Sequence, residues 1–255
     1  QMVFQDPYSS LNPRMTVGEI VREPLVVHGI GRKAEQVQRV RALFETVGLA
    51  ADAMSRYPSE FSGGQRQRIG VARALALNPK LVIADEPVSA LDVSVQSQVL
   101  NLMVRLQRER GLTYVFISHD LSVVEHVSDA VAIMYLGRIV EQGPVDRIFG
   151  QPAHPYTRAL MQAIPSTNPR QRRETVPLQG ETPSPTAKPP GRVFSSRCPP
   201  ATDACRGADP DTAACPASRA PLPPQPRGTR RSSAVRPRHT RAPTRSDARR
   251  VRLRL

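Results

Sequence analysis

At 255 residues the chain can form one large or two small domains, and its charge is unevenly spread. Residues 1–191 hold 21 Lys+Arg against 18 Asp+Glu, whereas residues 192–255 hold 15 Arg against 4 Asp and carry most of the formal +14. No run of eighteen apolar residues occurs, so a membrane-spanning helix is not expected and any membrane association is expected through a partner. Three cysteines, Cys198, Cys205 and Cys215, are too few for a disulfide scaffold and fit a reducing cytoplasm.

In chain order, residues 16–28 and 34–49 have helical spacing, the second with Val37, Val40, Leu43, Phe44 and Val47 on one face. Phe61-Ser62-Gly63-Gly64-Gln65 opens a third helical pattern through Ile69, Ala72, Leu75 and Ala76. The apolar run Leu81–Ala84 has the length of a buried parallel strand and ends in Asp85-Glu86. A helix through Val95, Val99, Leu102, Met103 and Leu106 follows, then strand Thr113–Ile117, a helix near 120–127 and strand Ala130–Met134. That alternation is the rhythm of a parallel α/β sheet with crossover helices, and Gly137-Arg138 suggests a hairpin turn. Leu121, Val124 and Val127 read as core. The Pro- and Thr-rich stretch from 165 to Gly191 reads as a linker.

Chemistry concentrates at two places. Paired acids at the carboxyl end of a buried strand sit where open α/β sheets place ligands, and they suit metal-assisted phosphoryl transfer. Asp85 can hold Mg²⁺ and Glu86 can polarise an attacking water. Ser62-Gly63-Gly64 ahead of a helix offers bare N–H groups and a positive dipole end to a phosphate.

Five motifs in order over residues 5–119 resemble the nucleotide-binding subunit of ATP-binding-cassette (ABC) transporters. Gln5 resembles the Q-loop glutamine, and Phe61–Gln65 the signature motif with Phe where Leu is usual. Leu81–Asp85 resembles the Walker B strand with Glu86 as catalytic base. Ser89-Ala90-Leu91-Asp92 resembles the D-loop, and His119 in Ile-Ser-His-Asp the switch histidine. Asp6-Pro7-Tyr8-Ser9-Ser10-Leu11-Asn12-Pro13 and His154–Leu160 resemble the oligopeptide and dipeptide branch of importers. The fold this implies is a P-loop NTPase-type parallel sheet, the C-terminal part of an ABC domain, with a helical subdomain and a basic tail. Expected boundaries are 1–150 for a partial ATPase domain (helical subdomain about 13–75), 151–191 for the branch extension and linker, and 192–255 for a disordered Arg/Pro-rich tail.

The resemblance implies ATP and Mg²⁺ as ligands. Gln5, Ser62, Gly63, Gly64, Gln65 and Asp92 would bind ATP, Asp85 and Gln5 would serve the metal, and Glu86 and His119 would be catalytic. Asp92 also reads as a helix N-cap. Arg66, Arg68 and Arg73 read as helix-surface or interface charges. The partners implied are a second ATPase subunit (identical or different), integral membrane permease subunits and an extracytoplasmic solute-binding protein, at the cytoplasmic face of the cell membrane. No G-x-x-x-x-G-K-[ST] occurs in the sequence. The family places that loop upstream of the Q-loop, so the chain is expected to be a portion lacking its N-terminal Walker A part and to be inactive alone. Competing readings are a soluble ABC ATPase of DNA repair or translation, and nonspecific binding of anionic surfaces through the Arg tail. No aromatic residue follows Phe194, so specific nucleic-acid recognition by base stacking is not expected. The C-x₆-C-x₉-C spacing offers three thiolates where an iron–sulfur cluster takes four, so no cluster is expected.

Overall fold

The apolar run Leu81–Ala84 and the expected strand Thr113–Ile117 lie side by side in the computed structural model, which describes residues 1–164, 180–184, 186, 191–199, 201 and 203–207. β2 (Leu81–Asp85) and β3 (Thr113–Ile117) pair in parallel, with Leu81 opposite Thr113 and Asp85 opposite Ile117. β1 (Met2–Val3) pairs in parallel on the other side of β2, Met2 opposite Ile83, giving the order β1-β2-β3. Gln5, Glu86 and His119 each follow the carboxyl end of one of these strands. Three residues far apart in sequence therefore meet at one end of the sheet, the ligand-binding end of an open α/β fold.

Three helices build the core beside this sheet: α1 (Val17–Val27), α2 (Lys33–Thr46) and α3 (Gly63–Leu75). α1 starts at Thr16, whose side chain and that of Glu19 form a reciprocal capping box. Ile20 and Leu25 of α1, Val40 and Phe44 of α2, and Ile69 and Leu75 of α3 pack with Val3 and Val82 of the strands. Phe44 is fully buried, a contribution of roughly 1.5–3 kcal/mol from apolar area. The expected helix 34–49 thus spends its apolar face on its own domain. α4 (Val93–Arg110) stops at Gly111, whose φ of 62° is the left-handed end that glycine adopts without a side-chain clash.

After α5 (Leu121–Val127), the strand expected to extend the parallel sheet does something else. β4 (Ala130–Tyr135) pairs antiparallel with β5 (Arg138–Pro144) in a separate two-stranded sheet. Leu136 and Gly137, at φ 48° and 76°, make the two-residue turn whose twist matches a hairpin and which reverses the chain onto its immediate neighbour. Among the described residues β3 pairs only with β2. An apolar cleft of about 890 Å³ separates it from β4, lined by Tyr114, Phe116, Val124, Val131, Ile133 and Leu160.

α6 (Val145–Gly150) and α7 (Pro155–Ala163) pack on the hairpin, with Ile148 fully buried and Met161 nearly so. The expectation of an unstructured tail from 192 is corrected at its start. Val193 and Phe194 are 8% and 2% exposed, a 3-10 turn follows at Ser195–Arg197, and α8 covers Asp203–Gly207. Phe194 meets the edge of Tyr135 at 5.3 Å and also contacts Tyr156 and His154. Two apolar residues in an Arg-rich stretch suffice because an aromatic pocket already exists for them. Cys215, residues 208–255 and most of the expected linker lie outside the described residues. Among the described residues, no helix is long and apolar enough to cross a membrane.

Candidate nucleotide site

Glu86 is the first residue past β2, and its φ of 41° puts it in the left-handed region. For a residue with a side chain this costs of order 1–2 kcal/mol, so the surroundings must hold it. They do: its N–H donates to Ile117 O at the end of β3 (3.0 Å), while its carbonyl accepts from Ser89 N–H (3.2 Å) and the Ser89 hydroxyl (3.1 Å). The turn aims the carboxylate across the end of the sheet. Gln5 Nε2 donates to Oε2 at 2.8 Å, and His119 Nδ1 lies 3.1 Å from Oε1. An ionised carboxylate only accepts, so Nδ1 is the donor and Nε2 is the ring nitrogen left to face a substrate. Each carboxylate oxygen keeps room for a further donor such as water. Glu86 is 23% exposed in its side chain against 71% for His119, so the carboxylate is partly sheltered and the imidazole stands open.

Asp85, partly exposed at the end of β2 and opposite Ile117 of β3, has no side-chain hydrogen bond among the described residues. No group of three or more His, Cys, Asp or Glu is gathered among those residues to form a protein cage for a metal. Mg²⁺ does not need one: it takes one or two carboxylates and completes its octahedron with water and phosphate oxygens. Asp85 fits that requirement. Gln5, with its amide nitrogen committed to Glu86, has Oε1 as its remaining ligand atom.

The second group lies at the start of α3. Ser62 is the N-cap; its hydroxyl accepts from Gln65 N–H (3.4 Å), and Gln65 Oε1 accepts from Ser62 N–H (2.9 Å). The Ser62 hydroxyl proton stays free to donate. A Cβ on Gly63 would stand 3.2 Å from Leu91 Cδ2, and one on Gly64 would collide with Val95 Cγ1. The glycines therefore let this turn press against the residues around Asp92. Asp92 occupies the N-cap of α4, its carbonyl accepting from Val95 and Gln96 N–H at 2.9 and 2.8 Å, but its side chain makes no capping bond. The carboxylate is exposed instead. The structure thus gathers Gln5, Asp85, Glu86 and His119 at one place and Ser62–Gln65 with Asp92 at another, with no direct hydrogen bond between the groups among the described residues.

Three polar residues of α3 near the site are withdrawn from solvent. Arg66 is only 5% exposed and Gln67 only 2%, and Arg73 is half-buried. Burial pushes the Arg73 guanidinium below its usual range, against a smaller opposing effect of Glu23. Arg66 and Arg73 face the segment after Gln5, where Tyr8 stacks on Arg66 at 3.7 Å. The signal available was the seven-residue spacing, two helical turns, which puts both arginines on one face of α3. Arg68 behaves as read, bonding Val47 O and Gln98 Oε1 at the helix surface.

A parallel sheet that presents Gln, Glu and His at its carboxyl end beside a Ser-Gly-Gly-capped helix defines the class, the nucleotide-binding domain of an ABC ATPase. Residues 1–89 match the sequence model of the ABC transporter family. Two solved structures agree at 30% identity: cbiO1 from Clostridium perfringens, part of the ABC transporter complex cbiONQ, with a TM-score of 0.53 and 59% of each chain covered; and the ATP-binding cassette MJ0796, a dimer bound to ADP and Pi, with a TM-score of 0.50, covering 56% of this chain and 62% of the other. The branch is given by the C-terminal region: residues 140–205 match the family "Oligopeptide/dipeptide transporter, C-terminal region". Residues 1–89 thus belong to an ABC transporter ATP-binding domain, and residues 140–205 to the C-terminal region of the oligopeptide/dipeptide branch. Among relatives, a probable peptide ABC transporter ATP-binding protein of Sinorhizobium fredii is 55% identical over 86% of this chain and 62% of its own length. The dipeptide transport ATP-binding protein DppF of Escherichia coli is 58% identical over 78% of this chain and 59% of its own. The chain thus spans about three-fifths of the length of the curated relatives it matches.

Proposed function

We propose that this chain is the ATP-binding and hydrolysing subunit of an importer for peptides or similar solutes. It would work at the cytoplasmic face of the membrane through permease subunits, paired with a second ATP-binding subunit and supplied by an extracytoplasmic solute-binding protein. One observation carries the hydrolytic part: the Glu86 carboxylate, past the end of a buried strand, is held between Gln5 and His119 at 2.8 and 3.1 Å. A carboxylate so fixed accepts the proton of a water attacking a γ-phosphate. His119 Nε2 faces the phosphate oxygens, while Ser62 and the amides of Gly63 and Gly64 address the nucleotide of the paired subunit. Asp85 and Gln5 Oε1 would hold Mg²⁺, which when bound neutralises phosphate charge. Closure of the pair then completes each site and couples ATP to movement of the permease.

The match of residues 140–205 and the names of the relatives support the peptide class over a soluble repair or translation ATPase. The test is hydrolysis with and without a phosphate loop. The 255-residue chain, whose sequence holds no G-x-x-x-x-G-K-[ST], should bind Mg-ATP feebly and hydrolyse it negligibly. Fusing a segment with that loop upstream of Gln1 should produce turnover. Robust hydrolysis by the chain alone, or none after fusion, would count against the reading.

A further inference from the structure

We propose that Tyr8, Arg66 and Arg73 are positioning residues that lock the segment after Gln5 to the helix behind Ser62. The stretch that carries Gln5 and the phosphate-facing start of α3 are then held in one fixed relation. The proposal rests on the reading of Gln5 and Ser62–Gly64 given above.

Arg66 is the hub. It is 5% exposed, yet no carboxylate pairs with it among the described residues. A guanidinium withdrawn from water without a counter-ion needs other partners. It finds them in Pro58 O, to which Nε donates at 2.7 Å, in Ser59 O, to which Nη2 donates at 3.4 Å, and in the face of the Tyr8 ring at 3.7 Å. Tyr8 is 68% exposed and adds nothing to a core, so the ring face it lends to Arg66 is its main contact. Its turn is preformed: Asp6 Oδ1 accepts from Tyr8 N–H at 2.8 Å, and Asp6 O accepts from Ser10 N–H at 3.2 Å.

Two turns along the same face of α3, Arg73 repeats the contact. Its Nη1 donates to Ser10 O at 2.5 Å, and its guanidinium lies 5.8 Å from the Phe4 ring. Between the arginines, Gln67 Nε2 reaches Phe4 O at 3.4 Å. Residues 4–10 are therefore fixed at Phe4, Tyr8 and Ser10, with Gln5 inside the fixed stretch. On the other side, Arg66 holds Pro58 and Ser59, which lead directly into Ser62.

Residue-resolved hydrogen exchange on the 255-residue chain, without nucleotide, tests the lock. The probes are the amides of Gln65 and Arg66, which close the first turn of α3 on Ser62 at 3.4 and 2.9 Å. Tyr8→Leu should speed their exchange about 2- to 5-fold, the loss expected for one solvent-accessible cation–π contact. Tyr8→Phe keeps the ring face and should leave the rates at wild-type values. Unchanged rates in Tyr8→Leu would overturn the proposal. So would equal acceleration in Tyr8→Phe, or the same acceleration in the buried part of α4 around Val99–Leu106, which would mark general loosening. Since no nucleotide is present, a failed ATPase reading leaves this result standing, and a failed lock leaves the hydrolysis tests standing.

Discussion

The end of the parallel sheet and the C-terminal hairpin region solve opposite problems. At the sheet end, Glu86 sits in a left-handed conformation, His119 is 71% exposed in its side chain, and the Asp85 carboxylate has no hydrogen bond among the described residues. Around the hairpin, Phe194 is 2% exposed, Tyr135 5% and Thr157 0%, and four rings meet at centroid distances of 4.7 to 5.6 Å. The first region forgoes burial to keep polar atoms within reach of a ligand; the second gives up reach for packing. Stability should therefore respond to changes in the second and turnover to changes in the first.

The largest expected effect that would break this contrast is at Phe194. Phe194→Ala should cost about 3–5 kcal/mol in the unfolding of the C-terminal region, measured by denaturant titration, because it removes the ring packed against both Tyr135 and Tyr156 and leaves a cavity beside them. Turnover of the loop-bearing form should persist where the protein stays folded. His119→Ala is the converse: it should lower turnover by roughly 10²-fold, as loss of one preorganised donor does, with no shift in the thermal midpoint. A large stability loss from that change would erase the distinction.

Gly64→Ala sharpens the boundary between the two kinds of residue, because it serves the site through packing. Its added methyl would collide with Val95, so a destabilisation of about 1–3 kcal/mol is expected by thermal melting, and a neutral result would show that α3 and α4 can part freely. The smallest effect is at His154. Burial holds its imidazole below the usual 6.5, with Glu141 opposing and Arg192 reinforcing that shift. Its Nδ1 must be unprotonated to accept Tyr156 N–H at 3.2 Å and cap α7. The unfolded chain binds the proton more readily, so the stabilisation is complete above 6.5 and is lost as pH falls through the lower folded value. Melting of the C-terminal region between pH 7.5 and 5 should show this decline, and His154→Asn, which keeps a capping acceptor without a titrating ring, should flatten it.

The placement of Asp85-Glu86 after an apolar run and of Ser62-Gly63-Gly64 before a helix was legible because phosphoryl chemistry favours those residue types at those places, whereas His119 after the next strand was singled out by the family pattern. Gln5 was legible only through its neighbours in the family pattern, and its bond to Glu86 spans 81 positions. Arg66 and Arg73 are more buried than the surface half of their surface-or-interface reading implies, because their partners are carbonyls and ring faces that no sequence pattern announces. The order of elements was readable from apolar periodicity, and the hairpin of β4 with β5 from its glycine turn, which falls one residue earlier at Leu136-Gly137; that β4 does not also pair with the parallel sheet among the described residues was not readable, since a strand of that composition pairs equally well in either sheet. Phe194 was hidden because an average over an Arg-rich stretch outweighs one aromatic residue whose pocket is formed by Tyr135 and Tyr156, distant in sequence.

The central claim is that Glu86 is the base, aimed by Gln5 and His119 at the water that attacks ATP. It is tested most directly by following phosphate release and retained nucleotide together in the loop-bearing form carrying Glu86→Gln. The substitution keeps the shape and the bond from Gln5 while removing the proton acceptor, so turnover should fall by about 10²-fold or more with ATP still bound. Phosphate release at the wild-type rate would contradict the assignment.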